Sequence, residues 1–251
     1  MSAIHLAQIT DLHIEADPGK LSKDRDTLAT LCAVTERVRE AASDLVLATG
    51  DLVNDGSPVA YRRLKPVLDG LERPVAAIPG NHDLVSVIRE HLAGGPVSLD
   101  PVHDLGNWRI LMLDSTVEGE VHGHLGPERL AALDEELSKA EGQHVLIVMH
   151  HQPAPIGSPL DDVGLDNAPD LFDVMDRHEH VRGLLWGHIH HIHESERRGV
   201  ALIGSPSTCF QFDGRPDHPF SITDEPPAWR ALTLQDDGGI ETRVNWVPEA
   251  L

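Results

Sequence analysis

The chain has 251 residues, 40% hydrophobic and 24% charged, enough to bury a substantial core and short enough to predict a single domain over 1–251. Its formal charge of -21 argues against a bulk nucleic-acid partner, because phosphate backbones need basic surface. Lysine is confined to Lys20, Lys23, Lys65 and Lys139.

No apolar run approaches the roughly 20 residues of a membrane span, and the opening residues lack the basic and apolar regions of a cleaved export signal. Cys32 and Cys209 are too few and too far apart for a disulfide framework, which suits a reduced cytoplasm.

In chain order, the pattern predicts a strand at 4–9 and then a helix carrying Leu28, Leu31, Val38 and Ala42 at steps of three and four. A buried strand follows at 44–49. Tyr61, Leu64, Leu68 and Leu71 mark a helix face that Pro66 should shorten or kink. A strand at 74–78 precedes a helix at 84–92, and another strand covers 108–113. Pro127 sits where a helix begins, ahead of Leu130, Leu133 and Leu137. A strand at 144–149 leads into a loop at 153–159, and Pro169 opens a helix with Leu171, Phe172 and Met175. Strands at 181–186 and 200–203 complete the central set. Residues 213–227, rich in Pro and Asp, read as a surface excursion. Segments 228–234 and 240–247 flank Asp236-Asp-Gly-Gly239, a hairpin signal. Alternating strands and helices with a terminal β-hairpin predict a layered α/β fold with mixed sheets.

The chemistry lies where the strands end. Asp11 and His13 follow the first strand, Asp51 the second, Asn81 and His82 the third, His150 the strand at 144–149, and His188 and His190 the strand at 181–186. Residues two apart in extended chain face one side, so Asp11 with His13, and His188 with His190, can each address one point. Singly these residues say little: Asp-x-His is common in turns, an Asn after Gly suits a left-handed turn, and several of the 17 histidines are ordinary surface residues. Their joint occurrence at successive strand ends points to a metal site. Carboxylates, imidazoles and one amide without a thiolate suit Mn, Fe, Zn or Co. Seven candidates are too many for one tetrahedral ion and fit two ions roughly 3.5–4 Å apart, with Asp51 as the natural shared carboxylate. His151 competes with His150, since neighbours in extended chain face opposite sides and only one fits.

Thr10-Asp-Leu-His13, Gly50-Asp51, Gly80-Asn-His-Asp83, Met149-His150 and Gly187-His-Ile-His190 resemble, in order, the five blocks of calcineurin-like metallophosphoesterases. The resemblance implies a four-layer sandwich of two mixed β-sheets flanked by α-helices, with a two-metal site at the C-terminal strand edges. It assigns one metal to Asp11, His13, Asp51 and His190, and the second to Asp51, Asn81, His150 and His188, with Fe or Mn ahead of Zn or Co. It makes His82 a catalytic residue that, with Asn81, faces the substrate phosphate, and Asp83 a residue orienting the loop or the imidazole. It favours His150 and leaves His151 as an outer contact; Asn54, three residues after Asp51, is either an outer contact or an ordinary loop residue. His122 and His124 fall on the rim or in solvent, and His191 and His193 on the surface.

The stretches Gly50–Tyr61 and Gly204–Gln211 are most similar to those of class III cyclic-nucleotide phosphodiesterases. That implies hydrolysis of 3′,5′-cyclic AMP to 5′-AMP by a metal-activated hydroxide, in a cytoplasmic monomer or homodimer with a small-molecule substrate. A broader diesterase acting on 2′,3′-cyclic nucleotides or glycerophosphodiesters is the alternative. A non-catalytic scaffold would have lost ligands or the histidine of the Asn-His pair, and none is lost here. With 4% aromatic residues, the candidates for base stacking are Phe210, Phe212 and Tyr61.

Overall fold

Strands that are apolar on both faces need cover on both faces, and the chain supplies it by stacking two sheets on each other and helices outside each. The computed structural model describes residues 3–215 and 219–250. Its strands are β1 (Ile4–Ile9), β2 (Leu45–Thr49), β3 (Val75–Ile78), β4 (Val97–Ser98), β5 (Val102–Leu105), β6 (Trp108–Met112), β7 (His144–Val148), β8 (Val181–Trp186), β9 (His193–Arg197), β10 (Val200–Gly204), β11 (Gln211–Phe212), β12 (Ile222–Thr223), β13 (Ala228–Leu234) and β14 (Ile240–Trp246). The helices are α1 (Thr27–Glu40), α2 (Pro58–Asp69), α3 (Val85–His91), α4 (Pro127–Lys139) and α5 (Ala168–Met175).

One sheet runs β14-β13-β1-β2-β3-β4, the other β5-β6-β7-β8-β10-β9, and β11 pairs with β12 in a small antiparallel sheet. The inner strands of each large sheet are parallel, while β13, β14, β5 and β9 join antiparallel. Alternation along the strands builds three cores. In β2, Leu45 and Leu47 face the other sheet, while Val46 and Ala48 face Leu31 and Val34 of α1 and Leu64 of α2. In β7, Leu146 and Val148 enter the shared inter-sheet core, while Val145 and Ile147 pack with Leu133 of α4 and Leu171 of α5. The predicted mixed-sheet sandwich and its hairpin are therefore observed.

Several expectations are revised. Helix α2 continues through Pro66 to Asp69, because Pro66 lies in its last turn and the apolar face of Tyr61, Leu64 and Leu68 is fully buried. Helix α1 ends at Glu40, so Ala42, with φ of 52°, lies beyond it. The excursion at 213–227 contains β12, with 216–218 outside the described residues. Strand β9, His-Glu-Ser-Glu-Arg, escaped notice because an edge strand with exposed faces has no apolar run to betray it.

A buried guanidinium fastens the two sheets. Arg230 of β13 donates to Ser205 Oγ at 2.8 Å, the Gly204 carbonyl at 2.9 Å, Glu194 Oε1 at 2.6 Å and Thr242 Oγ1 at 2.8 Å, while Ser205 in turn donates to Gln8 of β1. Replacing Arg230 with Met keeps much of the volume but strips the buried Gly204 carbonyl and Ser205 of their donor. We expect Arg230→Met to lose about 2–4 kcal/mol in urea unfolding; an unchanged midpoint would show that packing alone holds the sheets.

Candidate active site

The parallel strands of both sheets deliver their C-terminal ends to one seam. Backbone hydrogen bonds lock the loops there: Asp11 N–H to the Gly50 carbonyl at 3.1 Å, His13 N–H to the Asp51 carbonyl at 2.9 Å, and Gly187 N–H to the His150 carbonyl at 3.2 Å. Two glycines permit the approach. A Cβ on Gly80 would lie 2.3 Å from Asp51 Oδ1, and one on Gly187 would lie 2.0 Å from Thr10 Oγ1.

The convergence of Asp11 with His13, and of His188 with His190, arises differently from the extended geometry expected. Asp11, His13, Asp51, His188 and His190 all have positive φ, between 46° and 67°. Left-handed backbone at non-glycine residues costs of order 1–3 kcal/mol each and persists only where surroundings impose it. Here the intervening Leu12 and Ile189 are buried in the helix-side cores, which leaves the polar residues facing the seam. Asn81 does not take the left-handed turn that an isolated Asn after Gly would suit.

The seven residues meet. His13 Nε2 lies 3.2 Å from His190 Nε2 and 3.6 Å from Asp51 Oδ2, and His190 Nε2 lies 3.3 Å from Asp11 Oδ1. On the other side of Asp51, His150 Nε2 is 3.4 Å from Oδ1 and 3.2 Å from Asn81 Oδ1. His188 packs its ring 5.0 Å from that of His150. Carbonyl groups select the tautomers, since a carbonyl only accepts. His190 Nδ1–H donates to the Phe210 carbonyl at 2.8 Å, and His150 Nδ1–H to the Thr49 carbonyl at 2.9 Å, so each directs Nε2 into the seam. These carbonyls are functional groups the sequence could not reveal, because any residue type supplies one.

The electrostatics are those of a site short of positive charge. Burial resists ionisation of Asp11 and Asp51, yet neighbouring imidazoles, chiefly His190 for Asp11 and His150 for Asp51, hold both carboxyls below the usual range. Burial opposes charge on His150 as well, but Asp51 outweighs it and raises that imidazole to about 9. Burial pushes His13 down to about 3 and His188 to about 4, so both present neutral lone pairs. His13 Nδ1 and His188 Nε2 are buried with no hydrogen-bond partner. Groups Asp11/His13/His190 and Asp11/Asp51/His150 each gather one ligand atom per residue within 4.8 Å of one another, as does His150/His151/His188.

His151 is close enough to join that last group but has no nitrogen to spare. Its Nδ1 meets Ser115 Oγ at 2.7 Å and its Nε2 meets the Val121 carbonyl at 3.1 Å. His82 stands at the mouth, its Nδ1–H donating to the Asn54 carbonyl at 2.8 Å and its Nε2 3.9 Å from Asp51 Oδ2. Asn54 thus touches His82 through its backbone, while its side-chain amide donates to Glu15 at 2.8 Å. Asp83 turns inward: it accepts from Leu52, Val53 and Gly80 N–H and, at 2.7 Å, from the Tyr61 hydroxyl. It orients the loop, rather than the imidazole, and burial together with Asp51 raises its carboxyl to about 6. Tyr61 is consequently part of the loop support, far from a stacking role.

Phe210 packs against His13 and His190, and Phe212 stacks on His190 with ring centres 4.2 Å apart. His122 and His124 flank Asp166 at 3.7 and 2.7 Å. His191 is buried, not on the surface, with Nδ1 donating to the Ile189 carbonyl and Gly214 pressed on its ring. Above the seven residues opens a cavity of about 280 Å³, lined among others by His13, Asp51, Asn81, His82, His188 and His190.

Comparison with known proteins identifies the family. Residues 4–191 match the calcineurin-like phosphoesterase family. The chain is 37% identical to the 3′,5′-cyclic adenosine monophosphate phosphodiesterase CpdA of Pseudomonas aeruginosa, covering 100% of this chain and 92% of the relative. It is 37% identical to a 3′,5′-cyclic-nucleotide phosphodiesterase of Nostoc, covering 99% and 94%. Among solved structures, a dimetal phosphatase from Danio rerio shares the fold with a TM-score of 0.66 at 16% identity, over 97% of this chain and 99% of that one.

The Asp83–Tyr61 bond is testable. Tyr61→Phe removes a donor from a buried carboxylate, and we expect a loss of about 1–3 kcal/mol in urea unfolding. An unchanged midpoint would show that the three backbone donors suffice.

Proposed function

The chain belongs to the calcineurin-like phosphoesterase family, and on that premise we propose that it is a binuclear-metal phosphodiesterase, working as one domain, that hydrolyses 3′,5′-cyclic AMP to 5′-AMP. The observation that carries this reading is the facing pair His13 Nε2 and His190 Nε2, 3.2 Å apart beside two buried carboxylates. One imidazole can donate to the other at that distance, yet buried His13 Nδ1 and His188 Nε2 have no partner and two carboxylates share the seam, a set that cations would satisfy. Four imidazoles, two carboxylates and an amide oxygen suit a pair of first-row divalent ions, iron or manganese foremost, zinc or cobalt next.

Asp11, His13, Asp51 and His190 would hold one ion; Asp51, Asn81, His150 and His188 the other. Asp51 lies between both sets, each of its oxygens facing a different one. When bound, the two ions supply Lewis acidity, lower the pKa of a water and neutralise phosphate oxygens. They also bring four positive charges against two carboxylates, so an anionic diester is attracted in spite of the protein's net charge.

The chain's own residues do the rest. In opening the cyclic diester, a water oxygen bonds to phosphorus, the P–O3′ bond breaks, and O3′ takes a proton. His82 is the donor in this reading: the Asn54 carbonyl holds its Nδ1–H, which directs Nε2 toward the seam, and in the imidazolium form Nε2–H can pass its proton to O3′. His150, not His151, is the ligand, because both nitrogens of His151 are engaged by Ser115 and Val121. His151 and the Asn54 carbonyl act from outside, steadying His150, His188 and His82. Cys32 and Cys209 are free thiols, in keeping with a cytoplasmic setting as monomer or homodimer. Among the described residues, no helix is long and apolar enough to cross a membrane.

The test is kcat/KM of the metal-reconstituted protein on 3′,5′-cyclic AMP beside 2′,3′-cyclic AMP, glycerophosphocholine and bis-p-nitrophenyl phosphate. At least tenfold preference for 3′,5′-cyclic AMP is expected; equal or better rates on the others would make it a broad diesterase. Asp51→Ala should lose both ions by elemental analysis, and two retained ions would refute the shared carboxylate. His82→Ala should keep both ions while kcat falls about 10²–10⁴-fold; an unchanged kcat would remove its role.

A further inference from the structure

Part of the rim of the cavity is apolar, in a protein of net charge -21. Val121 and Phe220, both about half exposed, line it, and exposed Leu21 and Ile222 adjoin the lining residues Ser22 and Phe212. Phe220 is 51% exposed although its ring lies 4.6 Å from that of Phe212. Phe212 is backed by His190, so the aromatic row runs outward from a residue of the seam to solvent, with one large face left uncovered.

The second feature is Lys23. Lys20 pairs with Glu15 at 2.9 Å, Lys65 with Asp69 at 3.1 Å and Lys139 with Glu135 at 2.8 Å. Lys23, with φ of 50°, has no carboxylate partner among the described residues and lines the same cavity as Asp51, Asn81 and His82. An unpaired ammonium in a chain of net charge -21, held at the mouth of an anion site by a left-handed turn, is placed for an anion that arrives from outside.

We propose that Phe212 and Phe220 form a stacking wall for a nucleobase and that Lys23 contacts the phosphate bound at the same cavity. This rests on the phosphodiesterase reading only in that the phosphate sits at the seam. The pairing would favour nucleotides over phosphates that lack a base. The seam and Lys23 bind any phosphate, and only a ligand with a flat π-face also covers Phe220.

Phe220 is the residue to change, because Phe212 also packs on His190 and its loss would disturb the seam. Titration calorimetry on the metal-loaded protein with 5′-AMP and with inorganic phosphate separates the two contributions. Phe220→Ala should weaken 5′-AMP by roughly five- to hundredfold and leave inorganic phosphate within about twofold. Lys23→Ala should weaken both ligands by a similar factor, and Lys23→Arg should restore both. Phe220→Ala without effect on 5′-AMP, or with equal effect on inorganic phosphate, would overturn the wall; Lys23→Ala without effect on either would overturn the cation. Wild-type protein that binds the two ligands equally well would also refute the wall. Failure of the wild type to turn over 3′,5′-cyclic AMP would refute the proposed reaction, while the binding contrast still decides the wall.

Discussion

Two ionised carboxylates buried at the seam between two sheets are the constraint on which the rest of this protein depends. Asp11 and Asp51 have almost no contact with water, and charges so placed are tolerated only when they are paired and hydrogen-bonded. The surroundings meet that demand from every side. Asp11 accepts the His188 N–H and the Thr10 hydroxyl, Asp51 accepts the His82 N–H, and imidazoles stand around both. The His188 and His82 contacts tie loops that are distant in sequence, so satisfying the charges also determines how the loops meet. The left-handed backbone at five seam residues is part of the same balance: strain in the loops is offset by the hydrogen bonds that the buried carboxylates accept.

That local balance explains how a strongly acidic protein can hold an anionic substrate. Long-range repulsion from surface carboxylates is screened within about 8–10 Å at physiological salt, whereas groups inside a small cavity interact nearly unscreened. What the ligand meets at close range is therefore decided by the seam and its rim, not by the net charge. The same reasoning gives unusual weight to a single unpaired lysine.

Much of this was legible in the sequence because parallel strands buried on both faces are short apolar runs, and because ligands placed at strand ends stand out against them. Ile4–Ile9 and Val181–Trp186 are read to the residue. The seam's members were legible by type and order, though the reason given for Asp11 facing with His13 was wrong: backbone of positive φ, not extended chain, turns them together. What remained hidden was of two kinds. Carbonyls such as those of Thr49, Phe210 and Asn54 carry no side-chain signature, yet they decide which imidazole nitrogen is free. Polar or very short strands such as β9 and β12 lack the apolar periodicity that marks the others. His191 carries no sign of burial in its own neighbourhood of histidines, and Gly214, distant in sequence, lies against its ring.

The place of β13 in the sheet has a consequence for how the molecule is made. Strand β1 lies between β2 and β13, with Ile4 opposite Leu234, so one flank of the first strand is closed by residues more than two hundred positions later. The loop that carries Asp11 is capped from the same late region, by Ser207 and Cys209 on the Asp11 carbonyl and by Thr208 N–H on that of Thr10. During synthesis on the ribosome, β1, β2 and β3 can therefore assemble early, but they wait with an open edge until residues 205–234 emerge. Such an open edge is a template for pairing with other chains until β13 covers it. The loop around Asp11, among the first made, is closed only by one of the last.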